Sequence, residues 1–179
     1  FQFIDAADWI KFNFDGTVDQ ESTYEALQSQ VLGLGVVIPG FYGLMPDGHI
    51  RTFSRGGSDI TGALAAAALD ADVYENWTDV SGILMADPRI VDNPQAIPEV
   101  TYDELRELSY SGAQVLHEGS IFPVREKNIP LNIRNTNAPD HPGTMIQESF
   151  DTDSDPHRFI TGITGKKDFT IISLSKRGM

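Results

Sequence analysis

The chain has 179 residues and a formal net charge of −13, so most of its surface repels a polyphosphate and nucleic acid is excluded as a partner. It contains no cysteine, which excludes disulfides, thiolate metal sites and cysteine nucleophiles, while 40% hydrophobic residues suffice for a buried core. No apolar run approaches the length of a membrane span, and we expect a cytoplasmic protein that does not contact a membrane.

The first third of the chain predicts short strands around one helix. Strands are expected at residues 3–4 and 9–12, followed by a helix over 21–33 with apolar residues at helical spacing. The continuous apolar run "LGVVIPGFYG" (34–43) is typical of a strand buried on both faces, and "HIRTFS" (49–54) predicts a further strand.

The rest of the chain alternates strands and helices, which is typical of an α/β domain. Thr101 and Glu104 have the spacing of a capping box at a helix start, and Gly112 can end that helix. The remaining predicted elements are strands at 73–78, 130–136, 143–146, 159–164 and 169–175, helices at 101–112 and 115–127, and a proline-rich loop at 86–100.

The segment "SRGGSDITG" (54–62) predicts an anion-binding site between a strand and a helix. Gly56 and Gly57 allow backbone N–H groups to approach a ligand, and the helix dipole favours negative charge there. Arg55 adds a planar fork for a carboxylate or phosphate, and Asp59 could orient a cation. The alternative is a tight turn with an aspartate that favours the helix start. The combination with Ser58 favours the anion site.

A second candidate site is "NWTDVSGILMADPR" (76–89), at the carboxyl end of a predicted strand, where open α/β sheets bind ligands. Thr78 and Asp79 can bond a sugar or a base, and Arg89 can reach phosphates. The alternative, which this stretch by itself favours, is a surface loop with an Asx turn at Asp87.

Other polar segments give weaker signals. "PGFYG" (39–43) is either a strand-end loop that approaches a ligand or a plain turn. His117 lies among apolar residues, which favours a packed histidine, and the other histidines show no metal spacing. "DTDSD" (151–155) lacks the glycine and distal glutamate of a calcium loop and is interpreted as linker.

Taken in order, these motifs resemble aspartokinase over nearly all of the chain. The matching segments are "VVIPGFYG", "SRGGSDITGALAAAALDADVYENWTDVSGILMADPRIV", "VTYDELRELSYSGAQVLH" and "IPLNIRNTNAPDHPGTMI". The resemblance implies an α/β amino-acid kinase fold with a mostly parallel central sheet and flanking helices. It also implies a partial kinase domain over residues 1–146, a linker over 147–158 and the first ACT-type regulatory strands over 159–179.

The resemblance implies the following site residues and ligands. Arg55 would clamp the α-carboxylate of L-aspartate, Gly56, Gly57 and Ser58 would add polar contacts, and Asp59 would be the catalytic residue that organises lysines and hydrogen bonds. The implied nucleotide-binding residues are Thr78, Asp79, Arg89 and Gln114. The implied ligands are ATP with Mg²⁺ and a lysine or threonine effector at the ACT region, in a homo-oligomer.

Three positions depart from the family pattern. The family's Lys-Phe-Gly-Gly-Thr motif is absent, because "KFNFDG" at Lys11 does not match it. Gln114 stands where many members carry a nucleotide-contacting lysine; glutamine can bond a phosphate oxygen but cannot neutralise it. Leu84 stands where some members place an aromatic residue near the adenine. We therefore expect a fragment that is inactive by itself.

Two alternatives remain open at this stage. One is another amino-acid kinase of the glutamate or acetylglutamate type, and the other is a non-catalytic regulatory or assembly fragment. The capping-box helix, the Asp-Pro-Arg loop and the ACT-like tail favour aspartokinase.

Overall fold

The computed structural model describes residues 1–33, 35–110, 116, 118–150 and 160–165, and within them strands and helices alternate. The helices are α1 (Ala6–Trp9), α2 (Gln20–Gln30), α3 (Gly57–Ala68), α4 (Tyr102–Tyr110) and α5 (Glu118–Glu126). The strands are β1 (Gln2–Phe3), β2 (Val36–Val37), β3 (Tyr42–Leu44), β4 (Ile50–Thr52), β5 (Tyr74–Thr78), β6 (Glu99–Thr101), β7 (Leu131–Asn135) and β8 (Thr144–Gln147).

The largest sheet has the strand order β5-β7-β8-β6. Its β5/β7 and β6/β8 pairs are parallel and its β7/β8 pair is antiparallel, which confirms the predicted mostly parallel sheet. Two smaller pairs accompany it: β1 with β2, parallel, and β3 with β4, antiparallel. None of the helices in the described part of the chain is long and apolar enough to span a membrane.

The alanine-rich helix α3 lies between two hydrophobic cores. Ala63 and Ala67 belong to the core that includes the β7 residues Leu131 and Ile133. Leu64, on another side of the same helix, belongs to a second core built around Trp9, Ile10 and Leu27. Small side chains allow a helix to approach neighbours closely on more than one side, which accounts for the run of alanines.

Two strand predictions hold only in part. Of the segment 9–12, Ile10 is extended and Lys11 and Phe12 form isolated β-bridges, but Trp9 ends helix α1. That helix starts earlier, where the Asp5 side chain accepts a hydrogen bond from the Ala7 N–H. The run 34–43 is not one buried strand: β2 has two residues, and Val37 is 51% exposed. Pro39 and the positive φ of Phe41, 71°, separate β2 from β3.

The other predicted elements up to residue 147 are confirmed within one to three residues at most ends, including α2, β4, β5, α4, β7 and β8. Helix α5 begins at residue 118, later than predicted, and continues through Pro123 in its second turn. Residues 160–164 form no strand, and the Ile163 N–H instead donates to the Met85 carbonyl. The predictions for Gly112, Gln114, His117, 151–155 and 169–175 lie outside the described residues.

Candidate functional site

The glycine pair forms the start of helix α3. Gly56 is the N-cap residue and adopts the left-handed conformation, with φ 60°. Gly57 is buried, and a Cβ placed on it would meet the Cα of Phe41 at 2.8 Å. Gly56 is therefore required by its backbone conformation, and Gly57 by its close packing against Phe41. Arg55 precedes them with an exposed side chain, which forms no hydrogen bond or ion pair among the described residues.

The "PGFYG" loop packs against this helix start. The Phe41 N–H donates to the Thr61 hydroxyl at 3.0 Å, and that hydroxyl donates to the Gly57 carbonyl at 2.7 Å. A Cβ on Gly40 would lie 3.2 Å from the Cα of Ser58. The structure therefore brings the two loops together, and it holds Phe41 in a strained conformation of the kind that occurs at binding sites.

A cleft of about 710 Å³ lies beside the carboxyl end of β5, within the size range of small-molecule sites. Asp59 of α3 and Asn76 and Thr78 of β5 line it, whereas Arg55, Gly56, Gly57, Ser58 and Asp79 do not. The remaining lining residues are Val80, Gly82, Ile83, Leu84, Ala86, Asp87, Pro88, Arg89, Leu108, Ser109, Leu116, Ile133, Ile163, Thr164 and Gly165.

Asp59 is held by two side chains of β5 that the sequence reading missed. The Asn76 Nδ2 group donates to Asp59 Oδ1 at 3.1 Å and to the Tyr74 hydroxyl at 3.3 Å. The Tyr74 hydroxyl in turn donates to the Asp59 carbonyl at 3.1 Å. Burial raises the pKa of Tyr74 to about 12, so the phenol is a neutral donor at physiological pH. The sequence signal that could have identified Asn76 was a polar residue at a position of β5 that alternation places on the buried face.

The predicted nucleotide loop begins at the end of β5. The Thr78 hydroxyl donates to Asp79 Oδ1 at 3.2 Å, and the Asp79 side chain is exposed. The Thr78 carbonyl accepts from the N–H and the hydroxyl of Thr136, at 2.8 and 2.9 Å. The carboxyl ends of β5 and β7 are therefore fastened together, as a ligand site at this edge of the sheet requires.

Arg89 lies on the same cleft but is already paired. Its guanidinium binds the Asp87 carboxylate, with Nη2 to Oδ2 at 2.6 Å, and the hydrogen bonds from the side chain and then the backbone of Arg89 lower the pKa of Asp87 to about 2. The Arg89 N–H also donates to Asp87 Oδ1 at 2.8 Å. This is the Asx turn of the alternative interpretation, and a phosphate would have to compete with Asp87 for the guanidinium.

Apolar residues form part of the cleft lining, and residues 163–165 also line it. The apolar residues include Leu84, Leu108 and Ile133. The Ile163 N–H donates to the Met85 carbonyl at 2.7 Å, and Thr161 donates to Glu104, the capping-box residue of α4. A Cβ on Gly162 would lie 3.1 Å from the Leu108 side chain, so a glycine allows the segment to seat closely.

Among the residues that the structure describes, no three His, Asp or Glu side chains are placed to hold a metal ion. The carboxylates that line the cleft are Asp59 and Asp87, and Asp87 is paired with Arg89. Mg²⁺ commonly binds through one or two carboxylates together with substrate phosphates. Asp59 fits that mode, whereas a metal site built from protein ligands alone does not.

Comparison with known proteins places the chain in a family. Residues 3–135 match the model of the amino acid kinase family, and the chain belongs to that family. The solved aspartate kinase of Clostridium acetobutylicum is 55% identical, with a TM-score of 0.82 over 91% of this chain and 38% of that one.

Two further relatives point to the same group. Aspartokinase 3 of Bacillus subtilis (strain 168) is 43% identical over 141 residues, 79% of this chain and 30% of the relative. E. coli aspartokinase III, solved with aspartate and ADP, is 33% identical with a TM-score of 0.76, over 84% of this chain and 35% of that one. The chain thus spans about a third of the length of these relatives.

Proposed function

We propose that the chain is part of an aspartate kinase, which transfers the γ-phosphoryl group of ATP to the side-chain carboxylate of L-aspartate and forms 4-phospho-L-aspartate. One observation carries the proposal: Asp59, in the first turn of α3, and Thr78, at the end of β5, line one cleft. That shared lining supports an amino-acid site next to the nucleotide loop. The aspartokinase solved with aspartate and ADP supports the assignment of both ligands.

In this proposal Arg55 holds the α-carboxylate of aspartate with its two-pronged guanidinium, and the exposed, unpaired side chain is available for that contact. The helix start at Gly56 and Gly57 favours the same negative charge. Ser58 adds a hydroxyl. Transfer between two anions depends on positioning and charge stabilisation more than on covalent catalysis, which suits these residue types.

Thr78, Asp79 and Gln114 contact the nucleotide, and Arg89 binds its phosphates in the same proposal. Arg89 must leave Asp87 or bind the phosphate alongside it. Asp59 is the carboxylate of the cleft that would hold Mg²⁺, which would neutralise phosphate charge when bound with ATP.

Turnover belongs, in this proposal, to the full-length gene product that contains this chain, called the intact protein below. The Lys-Phe-Gly-Gly-Thr motif of the family is absent from the 179 residues. We also propose the domain division at 1–146, 147–158 and 159–179, a cytoplasmic homo-oligomer, and a lysine or threonine effector at the ACT region. An aspartokinase structure with lysine and aspartate supports the lysine option.

The experiment is a coupled ADP-release assay on the intact protein with ATP–Mg²⁺ and, in turn, L-aspartate, L-glutamate and N-acetyl-L-glutamate. Of the three acceptor substrates, we expect turnover only with L-aspartate. Turnover with either glutamate substrate would replace the proposal with another amino-acid kinase. Absence of turnover, with no heat of binding for ATP–Mg²⁺ or aspartate in calorimetry, would favour a non-catalytic fragment.

A further inference from the structure

We propose that Asn76 is a positioning residue, which fixes the orientation of the Asp59 carboxylate in the cleft with the help of Tyr74. The inference rests on the proposed function, because it concerns how Asp59 acts there. It assigns a role to two residues that lie outside the glycine-rich loop and outside the loop that follows β5.

The first observation is the placement of Asn76. It is the central residue of β5 and is 8% exposed, although its neighbours Glu75 and Trp77 point to the opposite face of the sheet and are exposed. Its backbone pairs with Ile133 of β7, so the side chain is not needed for the strand. A buried amide costs free energy unless it is hydrogen-bonded, and an apolar residue would suit this position better for stability alone.

The second observation is where the amide hydrogen bonds go. The two hydrogen bonds that Nδ2 donates to described residues end within one small group: Asp59 Oδ1 at 3.1 Å and the Tyr74 hydroxyl at 3.3 Å. Since Tyr74 also donates to the Asp59 carbonyl at 3.1 Å, Asp59 is held by its side chain and its main chain from the same strand. The other carboxylate oxygen, Oδ2, makes no hydrogen bond among the described residues.

The third observation is that the helix makes room for this group. A Cβ on Gly62 of α3 would lie 2.5 Å from the Tyr74 hydroxyl oxygen, so that the phenol can reach Asp59 only past a glycine. The buried amide of Asn76 and the phenol of Tyr74 thus both bind Asp59, and the close approach of helix and strand at Gly62 makes this possible. A reacting group must be held within about 0.5 Å of its productive position, and such a shell can do this.

The decisive experiment is a double-mutant cycle in the intact protein. Asn76→Leu should lower kcat by about 10- to 100-fold, as misplacement of a catalytic group does, with the KM of aspartate and of ATP changed less than about threefold. Combined with Asp59→Asn, it should lower kcat no further than Asp59→Asn alone, because both act through one carboxylate. Effects that multiply in full, or a change confined to KM, would overturn the inference.

Asn132→Leu is the matched control. Asn132 is an asparagine of the neighbouring strand β7, 7% exposed and on the other face of the sheet, and its Oδ1 is buried without a hydrogen-bond partner. We expect this variant to keep kcat within about twofold. Its effect on kcat should multiply with that of Asp59→Asn, as the effects of independent sites do. Thermal unfolding of both leucine variants checks that they fold.

A second readout does not depend on activity. In the protein labelled with [¹⁵N]asparagine, one Asn76 Nδ2 proton should be protected from solvent exchange and should lose that protection in Asp59→Ala, while the Asn132 signals stay unchanged. Unchanged protection would overturn the positioning role. An unsubstituted intact protein without aspartate-dependent turnover would instead overturn the proposed function, and the exchange measurement would still decide the hydrogen bond.

Discussion

Gly57 and Phe41 are so close that a Cβ on Gly57 would lie 2.8 Å from the Phe41 Cα and 3.0 Å from the Phe53 Cβ. The contact is with backbone and with Cβ atoms, which cannot turn away as the end of a flexible side chain can. The start of α3 and the "PGFYG" loop therefore form one rigid unit, and the position of Arg55 relative to this loop depends on it.

The first prediction follows from that contact. Gly57→Ala should lower the free energy of unfolding by about 1–3 kcal/mol, because the added methyl group overpacks the junction. Gly33→Ala is the control, since nothing lies within 4 Å of a Cβ there. Chemical denaturation of both variants measures the difference. Equal stability of the two variants would show that the loop yields and that the rigid unit does not exist.

The second prediction concerns Arg55 in the intact protein. Arg55→Lys should raise the KM of aspartate by about 10- to 100-fold, the value of one or two charged hydrogen bonds, because a point charge cannot replace the guanidinium fork. The KM of ATP should stay within about twofold. Arg106→Lys on the outer side of α4 controls for loss of an arginine. A normal aspartate KM would refute the clamp.

The third prediction concerns Asp79. Because its carboxylate is exposed at the end of β5 beside Thr78, Asp79→Ala should weaken ATP binding by roughly threefold to tenfold and leave aspartate binding unchanged. Asp72→Ala, an exposed aspartate before the amino end of the same strand, should change neither. Calorimetry with each ligand measures both affinities. A loss confined to aspartate would mean that the two loops have been assigned in reverse.

The fourth prediction is a pH dependence at the Asp87–Arg89 turn. Hydrogen bonds from Arg89 lower the pKa of Asp87 to about 2 from its ordinary 3.8, so the ionised pair favours the folded turn above about pH 4 and is lost as the pH falls towards 2. ¹³C NMR of the carboxyl group should show this midpoint. In Arg89→Ala the midpoint should return towards 3.8. A midpoint near 3.8 in the unsubstituted chain would contradict the pair.

The fifth prediction is that the 179-residue chain alone does not phosphorylate aspartate. By the family resemblance, the Lys-Phe-Gly-Gly-Thr motif supplies a catalytic lysine and a phosphate-cradling loop, and one lost donor of this kind already costs about a hundredfold to a thousandfold in rate. A coupled ADP-release assay should stay at background at saturating ATP–Mg²⁺ and aspartate. Aspartate-dependent turnover above that background would show that the missing segment is dispensable.

The same chain should also self-associate. Strand β5 pairs with β7 on one edge only among the described residues, and Val73 and Trp77 beside that edge are 41% and 43% exposed. Light scattering should show oligomers, and Val73→Lys should reduce them because a charge discourages pairing at an edge. A monodisperse monomer would contradict the prediction.

Local signals predicted the fold where they were sufficient. The capping box at Thr101 and Glu104 forms as expected, with hydrogen bonds of 2.8 and 3.2 Å in the two directions, because it needs only residues three apart. Of the strand expected at residues 9–12, Trp9 instead ends helix α1, which was missed because the Asp5 cap was overlooked and a four-residue helix has little periodicity. Helix α1 is buried by its contacts with α2 and β3, and the spacing of apolar residues does not show these contacts.

The site was predictable in part. The glycine pair was recognised as a helix start, but its close contact with Phe41 depends on tertiary structure. Asn76 and Tyr74 were missed because the alternation of a strand shows only which residues share a face of the sheet. It does not show which of their side chains contact Asp59 on the neighbouring helix α3. The pairing of Arg89 with Asp87 was visible as a possible turn, although only the coordinates show that the turn uses the guanidinium.

Residues 160–165 dock beside the cleft. Ile163 and Thr161 fasten that segment to Met85 and Glu104, and Ile163 also forms part of the cleft wall. A ligand that prefers the cleft with this wall in place also strengthens the docking of the segment, by the same free energy with which the docking strengthens the ligand.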